Sequence, residues 1–116
     1  MQSTTTFSRG DIVVVPYPFL EFNVVKNRPA LVISTDGFLA GRHDVVIAAI
    51  TSRSRNPPLY GDYVLKDWRE GGLIRPSVVT GLLRTAKTYR ILRKIGAISP
   101  QDLLNYEEVL RHSLGL

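Results

Sequence analysis

Asn27-Arg28-Pro29-Ala30-Leu31-Val32-Ile33-Ser34 is the stretch on which the fold turns. Its apolar centre, Ala30 to Ile33, reads as a core strand opened by Pro29, where a missing N–H does least harm. A second run, Val45-Val46-Ile47-Ala48-Ala49-Ile50, ends in Thr51-Ser52. Residues 45–51 form the most hydrophobic strand, predicted to be central because both of its faces are apolar. Each strand carries polar chemistry at one end: the permanent Arg28 cation on the first, two hydroxyls on the second. If those ends meet, they make a small pocket suited to a phosphate.

Outward from these two strands the pattern stays β. Residues 1–8 read as a loose polar lead-in. Asp11 to Val15 is short and β-branched, and Pro16 and Pro18 end its ladder or place it on an edge. Residues 19–27 read as a loop, Asp36-Gly37 as a turn, and Gly41 to Asp44 as another loop. Arg53-Ser54-Arg55-Asn56-Pro57-Pro58 is a basic, proline-bearing loop. Asp62 to Leu65 and Ser77 to Leu83 are predicted strands, separated by a polar excursion around Trp68 that ends at Gly71-Gly72. Arg84 to Lys94 alternates basic and apolar residues.

One helix closes the pattern. Ser99 is a good N-cap, Pro100 occupies the first helical position, and Asp102 falls where a capping-box acid belongs. Leu103, Tyr106, Leu110 and Leu114 recur at helical spacing, and Gly115 is the stop. Many short strands, Gly and Pro turns and one late helix predict a small antiparallel barrel or curled sheet covered by a helix. No internal repeat or linker divides residues 1–116, so a single domain is expected.

Composition narrows the chemistry. The 116 residues hold 44% hydrophobic side chains and no cysteine. Disulfide scaffolds, thiolate zinc sites and thiol nucleophiles are excluded, and a reducing compartment fits. His43 and His112 are the only histidines, too few for an ordinary His-rich metal centre, so no metal and no cofactor are expected. The first residues lack the basic and apolar regions of a signal peptide, and no run approaches membrane-spanning length, so a cytoplasmic protein is expected. The net charge is +5, and Arg supplies 11 of the 15 basic residues. Its planar fork matches phosphate geometry. A basic excess fits a nucleic-acid or acidic-protein partner as well as it fits plain solubility.

Taken in order, several segments resemble the PemK/MazF toxins. Gly10-Asp11-Ile12-Val13-Val14-Val15-Pro16 resembles the family's opening strand and Arg28-Pro29-Ala30-Leu31-Val32-Ile33-Ser34 its second. Ile50-Thr51-Ser52, Gly72-Leu73, Pro76-Ser77-Val78-Val79 and Ile95-Gly96-Ala97-Ile98 follow in the family's order and approximate spacing. The resemblance implies an α+β, mainly β fold: an SH3-like β-barrel with a C-terminal helix, working as a homodimer. It implies the toxin of a type II toxin–antitoxin system, held by a cognate antitoxin. It also implies a metal-independent endoribonuclease that cuts single-stranded RNA, mRNA included, to 2′,3′-cyclic phosphate and 5′-hydroxyl ends. The two family catalytic residues that match are Arg28 and Thr51. Where the family often carries a Gln-Ile-Arg-Thr-type segment followed by Asp, this chain has Leu82-Leu83-Arg84-Thr85-Ala86-Lys87. Leu82 replaces the Gln and Lys87 stands at the Asp position, so RNA sequence preference does not carry over.

Metal-free RNA cleavage uses the ribose 2′-OH as an internal nucleophile, so few protein groups are needed. Arg28 can stabilise the charge on the phosphorane-like transition state with two parallel donors. It is a poor general base, since a guanidinium stays protonated in proteins. Thr51 can donate a hydrogen bond to a phosphate oxygen. Ser52, Arg53 and Arg55 lie just past that point and can track an RNA backbone. Arg84, Thr85 and Lys87 open a second basic stretch that runs on to Arg90, Arg93 and Lys94. At least half of that stretch reads as a solvated face. Tyr17 and Phe22 have rings that can stack on bases, whereas packing is the simpler reading of Phe19. His43 reads as a solvated loop histidine and Trp68 as a packing anchor. Two other readings share the fold: a gyrase poison of the CcdB type, and a non-catalytic module that binds nucleic acid, DNA included, or protein.

Overall fold

The computed structural model describes residues 7–19, 24–39, 41–52 and 57–116. In it the two apolar runs are neighbouring antiparallel strands. β1 (Asp11–Phe19) pairs with β2 (Val24–Val32), β2 with β3 (Asp44–Ser52), and β3 with β5 (Ser77–Lys87). The two-residue β4 (Tyr63–Val64) flanks β5, and β6 (Arg93–Ala97) flanks β1, giving the order β4-β5-β3-β2-β1-β6. A one-turn helix, α1 (Asp36–Leu39), lies between β2 and β3, and α2 (Pro100–Leu114) follows β6. β5 and β6 have three strands between them, yet only residues 88–92 join them, and Thr88–Arg90 are wound into a 3-10 turn. A flat sheet would hold those strands about 19 Å apart, so the sheet curls into a half-barrel. The connection is pinned where Thr88 N–H donates to the His43 carbonyl (2.8 Å) and Leu92 N–H to that of Val14 (2.9 Å).

Strand alternation sorts the side chains onto two faces. Ile12, Leu31, Ala48, Ile50 and Val79 face the helix side and pack with Leu65, Leu73, Ile98 and Tyr106. Val13, Val15, Ala30, Val32, Val45 and Ile47 face the other side and pack with Phe7 and Ile91. Central β3 is apolar on both faces because both are covered.

Two bulges shape the curl. Along β3 and β5 the pairing runs Ala48 with Leu83, then Ile50 with Val79, so Ala49 alone faces Thr80-Gly81-Leu82. The Thr80 hydroxyl fills this gap, donating to the Ala49 carbonyl (2.9 Å) and accepting from Leu82 N–H (3.2 Å). In β6 the bulged residue is Ile95, between Gly96 opposite Ile12 and Lys94 opposite Val13. Beside it Gly71-Gly72 passes so close to β6 that a Cβ on Gly72 or Gly96 would overlap backbone of the other segment.

The helix begins as its sequence predicts, with Asp102 N–H donating to Ser99 Oγ (3.1 Å), and ends at Gly115 with φ +73°. The capping-box role of the Asp102 side chain is corrected. Its carboxylate accepts instead from the 63–67 segment: Tyr63 O–H (2.6 Å), Lys66 N–H (3.2 Å) and Asp67 N–H (2.8 Å). Ser99 O–H in turn donates to the Asp67 carboxylate (2.8 Å). Tyr106 is fully buried and donates to the Thr80 carbonyl (2.8 Å), tying the helix to the β5 bulge.

Other expectations need adjustment. β1 does not stop at Pro16 but runs to Phe19, and β2 starts at Val24, inside the expected 19–27 loop. Pro16 and Pro18 are tolerated because the β6 ladder ends at Val14, leaving β1 paired on one side only. Pro29 lies inside β2 rather than at its mouth, one residue beyond the last β3 pair at Ala30. β4 is shorter than Asp62–Leu65 and β5 longer than Ser77–Leu83. Phe7, placed in a loose lead-in by sequence, is a buried core residue. Leu114 ends the apolar stripe exposed, while Trp68 packs against the core as expected.

Candidate functional site

The site grows out of the face opposite α2. The last β2–β3 pair on that face is Ala30 with Ala49. The next same-face step outward, one beyond that last pair, lands on Arg28 in β2 and Thr51 in β3. Both are half-buried, and Arg28 Nε is shielded from water. Arg28 is opposite Val15 in β1, and the next same-face pair is Tyr17 with Lys26. An apolar floor thus gives way to a polar rim.

Past Val15 that face opens into a pocket of about 370 Å³, lined by Val15, Tyr17, Ile47, Arg84, Ala86 and Arg90 among others. Arg84 reaches it because it is opposite Ile47, as Ala86 is opposite Val45. The Arg84 guanidinium stands over the Tyr17 ring, 5.4 Å from its centroid. Tyr17 O–H points to the Leu82 carbonyl, a long contact at 3.5 Å. Burial pushes the Tyr17 phenol above its ordinary pKa of 10.0, and the Arg84 charge opposes that shift.

The remaining sequence candidates divide. Thr85 and Lys87 line the same pocket, but Lys87 Nζ is 2.9 Å from the Asp44 carboxylate, which holds its pKa above the usual 10.5. Ser52, opposite Ser77, turns by alternation to the helix side, away from Thr51. Phe22, Arg53 and Arg55 lie outside the described residues. Leu82, at the family's Gln position, is exposed on the bulge. Sequence reasoning missed Arg90 as a pocket residue and Asp44 as the partner of Lys87. Only the β3–β5 register, which sets Asp44 opposite Lys87, reveals the latter. His43 is exposed, and among the described residues no three His, Asp or Glu side chains gather as a metal site would require.

A family model of PemK-like, MazF-like toxins of type II toxin–antitoxin systems matches residues 8–114. The chain belongs to this family. Solved structures share the PemK/MazF fold over nearly the full length. A mycobacterial endoribonuclease in complex with its cognate antitoxin superposes with a TM-score of 0.77 at 16% identity, covering 96% of this chain and 97% of the other. The MazF-mt6 toxin of Mycobacterium tuberculosis gives 0.68 at 21% identity, covering 90% and 97%. A MazE–MazF structure from Deinococcus radiodurans gives 0.72 at 16% identity, covering 97% and 99%. No curated protein sequence matches significantly. Among the described residues no helix is long and apolar enough to cross a membrane.

Proposed function

We propose that this toxin is a metal-independent endoribonuclease that cuts single-stranded RNA, with Arg28 and Thr51 as its catalytic residues. The observation that carries the proposal is the placement of Arg28 and Thr51 one same-face step beyond the last β2–β3 pair, on the face that opens into the pocket lined by Tyr17 and Arg84. In the reaction the ribose 2′-oxygen bonds to phosphorus as the P–O5′ bond breaks. The 2′ proton leaves to water or another base, and the departing 5′-oxygen gains one. The products are a 2′,3′-cyclic phosphate and a 5′-hydroxyl. Arg28 stabilises the equatorial oxygens as charge builds on them and can supply a proton to the leaving oxygen; Thr51 donates to a phosphate oxygen. RNA is a better match than a neutral ligand because the rim is cationic and the substrate brings its own nucleophile.

A cognate antitoxin, a homodimeric assembly and a cytoplasmic location belong to the same proposal. Support comes from family membership and from the antitoxin present in solved relatives. The decisive experiment incubates the purified protein with single-stranded RNAs of varied sequence in EDTA and identifies the product ends. Cyclic-phosphate and 5′-hydroxyl ends that disappear with Arg28→Ala are expected. Intact RNA throughout, or products unchanged by Arg28→Ala, would overturn the proposal. Light scattering that gives the mass of one chain would remove the dimer.

A further inference from the structure

The basic stretch from Arg84 to Lys94 is unevenly committed. Lys87 is tied to Asp44, and Lys94 Nζ lies 3.1 Å from the Asp11 carboxylate. Arg84 and Arg90 make no ion pair among the described residues, and both line the pocket beyond Val15. The pocket's apolar wall is Pro16, Val25 and Ala86 over a floor of Val15 and Ile47, and its aromatic member is Tyr17. Val15 and Ile47 are buried and held by the sheet, so this floor is preformed. At about 370 Å³ it falls at the low end of the range for small-ligand sites, about 300–1,000 Å³. An apolar slot with one aromatic ring and two guanidinium groups that make no ion pair among the described residues is complementary to a flat ring that carries a phosphate.

We propose that this pocket is a single-nucleotide subsite: a base lies against Tyr17 and the apolar wall, Arg84 and Arg90 hold the adjoining phosphate, and Lys87 takes no part. The inference rests on the reading of the chain as an RNA-cleaving toxin and goes further by separating the working cations from the neutralised ones. Arg84 is the pre-positioned phosphate cation. Its position over Tyr17 fixes the plane of its fork before RNA arrives, so less side-chain freedom is lost on binding. The subsite adjoins Arg28 through Val15, which places the nucleotide it holds next to the scissile phosphate.

The test uses the full chain and 2′-O-methyl RNA oligonucleotides of varied sequence, which lack the nucleophile and cannot be cut. Binding is read by fluorescence anisotropy. Tyr17→Ala and Arg84→Ala are each expected to weaken binding about tenfold, the scale of one lost base stack. Tyr17→Phe keeps the ring and is expected to bind as the parent does. Tyr17→Leu keeps apolar bulk without a ring and is expected to bind as weakly as Tyr17→Ala, which separates stacking from loss of folding. Lys87→Ala is expected to change binding less than twofold. Equal losses from Lys87→Ala and Arg84→Ala, or full binding by Tyr17→Leu, would overturn the subsite. So would a glutamate-rich peptide that binds and is released by Arg84→Ala while the oligonucleotides bind all the variants alike, since the pocket would then serve an acidic peptide. Cleavage of unmodified RNA is run in parallel. If the parent cuts RNA while the pocket variants bind and cut unchanged, the subsite alone fails; if no RNA is cut or bound, the ribonuclease reading fails with it.

Discussion

Arg28 and Tyr106 show two uses of a buried polar atom. In the proposed reaction the Arg28 fork matters as well as the charge. Arg28→Lys keeps the cation and loses the paired donors, so it should lower the cleavage rate about 100-fold, the usual cost of one transition-state contact. RNA affinity should change little, and single-turnover cleavage beside anisotropy would check both. Tyr106 serves stability. Its hydroxyl has one buried acceptor, the Thr80 carbonyl, so Tyr106→Phe should cost about 1–2 kcal/mol in urea unfolding. Burial raises the Tyr106 phenol to about 12, against 10.0 for the ordinary group, with Arg9 opposing. The unfolded chain therefore gives up this proton first. The contribution is whole below about pH 10 and is lost as pH rises through about 12. Urea midpoints from pH 9 to 12 should fall with pH, and fall less in Tyr106→Phe.

At the scale of elements, legibility followed how local the cause was. The cap at Ser99, Pro100 at the first helical position and the Gly115 stop depend on neighbours in sequence, and all three were readable. So were the β2 and β3 cores, since their apolar character is intrinsic. The course of β1 past Pro16 was not, because a proline is harmful only where a ladder bond is expected, and the absence of a β6 partner there is a tertiary fact. Likewise Asp102 looked like a capping acid until the 63–67 segment arrived. The candidate site was half legible: Arg28 and Thr51 were visible as strand ends, but the Lys87–Asp44 pair and the part taken by Arg90 needed the register. The Gly71-Gly72 crossing on β6 gives a sharp element-scale prediction. Gly96→Ala should destabilise by about 2–3 kcal/mol through overpacking, lowering the thermal midpoint by roughly 10 °C. Gly41→Ala has open space around its Cβ and meets only the cost of a φ of +79°, so it should be milder.

Across the whole molecule the two faces of one sheet do different work. The helix side carries the larger apolar cluster, with Tyr106 at its centre. The other side gives up part of its cover to keep a cationic rim open to solvent. In the proposed RNA complex the cations of that rim set the salt dependence. With about three phosphate contacts, raising salt from 50 to 200 mM should weaken single-stranded RNA binding about 20-fold, from a slope near −0.7 per contact. Arg84→Ala should flatten that slope by close to one contact, whereas Lys87→Ala should leave it unchanged. A titration across four salt concentrations reads both.

The β5 bulge has a consequence for how this chain can vary in length. Two residues more stand on β5 than on β3 between the pairs that bracket Ala49, and two is the period of a strand. The inward and outward positions therefore keep the same parity on both sides of the bulge. Removing one residue from 80–82 would turn Arg84 and Ala86 toward the helix while Val78 and Val79 stayed in place, exchanging core for rim in a single step. Removing two would straighten the strand yet leave every later side chain on its proper face. Viable length variants at this point should therefore differ by even numbers of residues, and the pocket side of β5 can be lengthened or shortened in pairs without disturbing the half that packs against the helix.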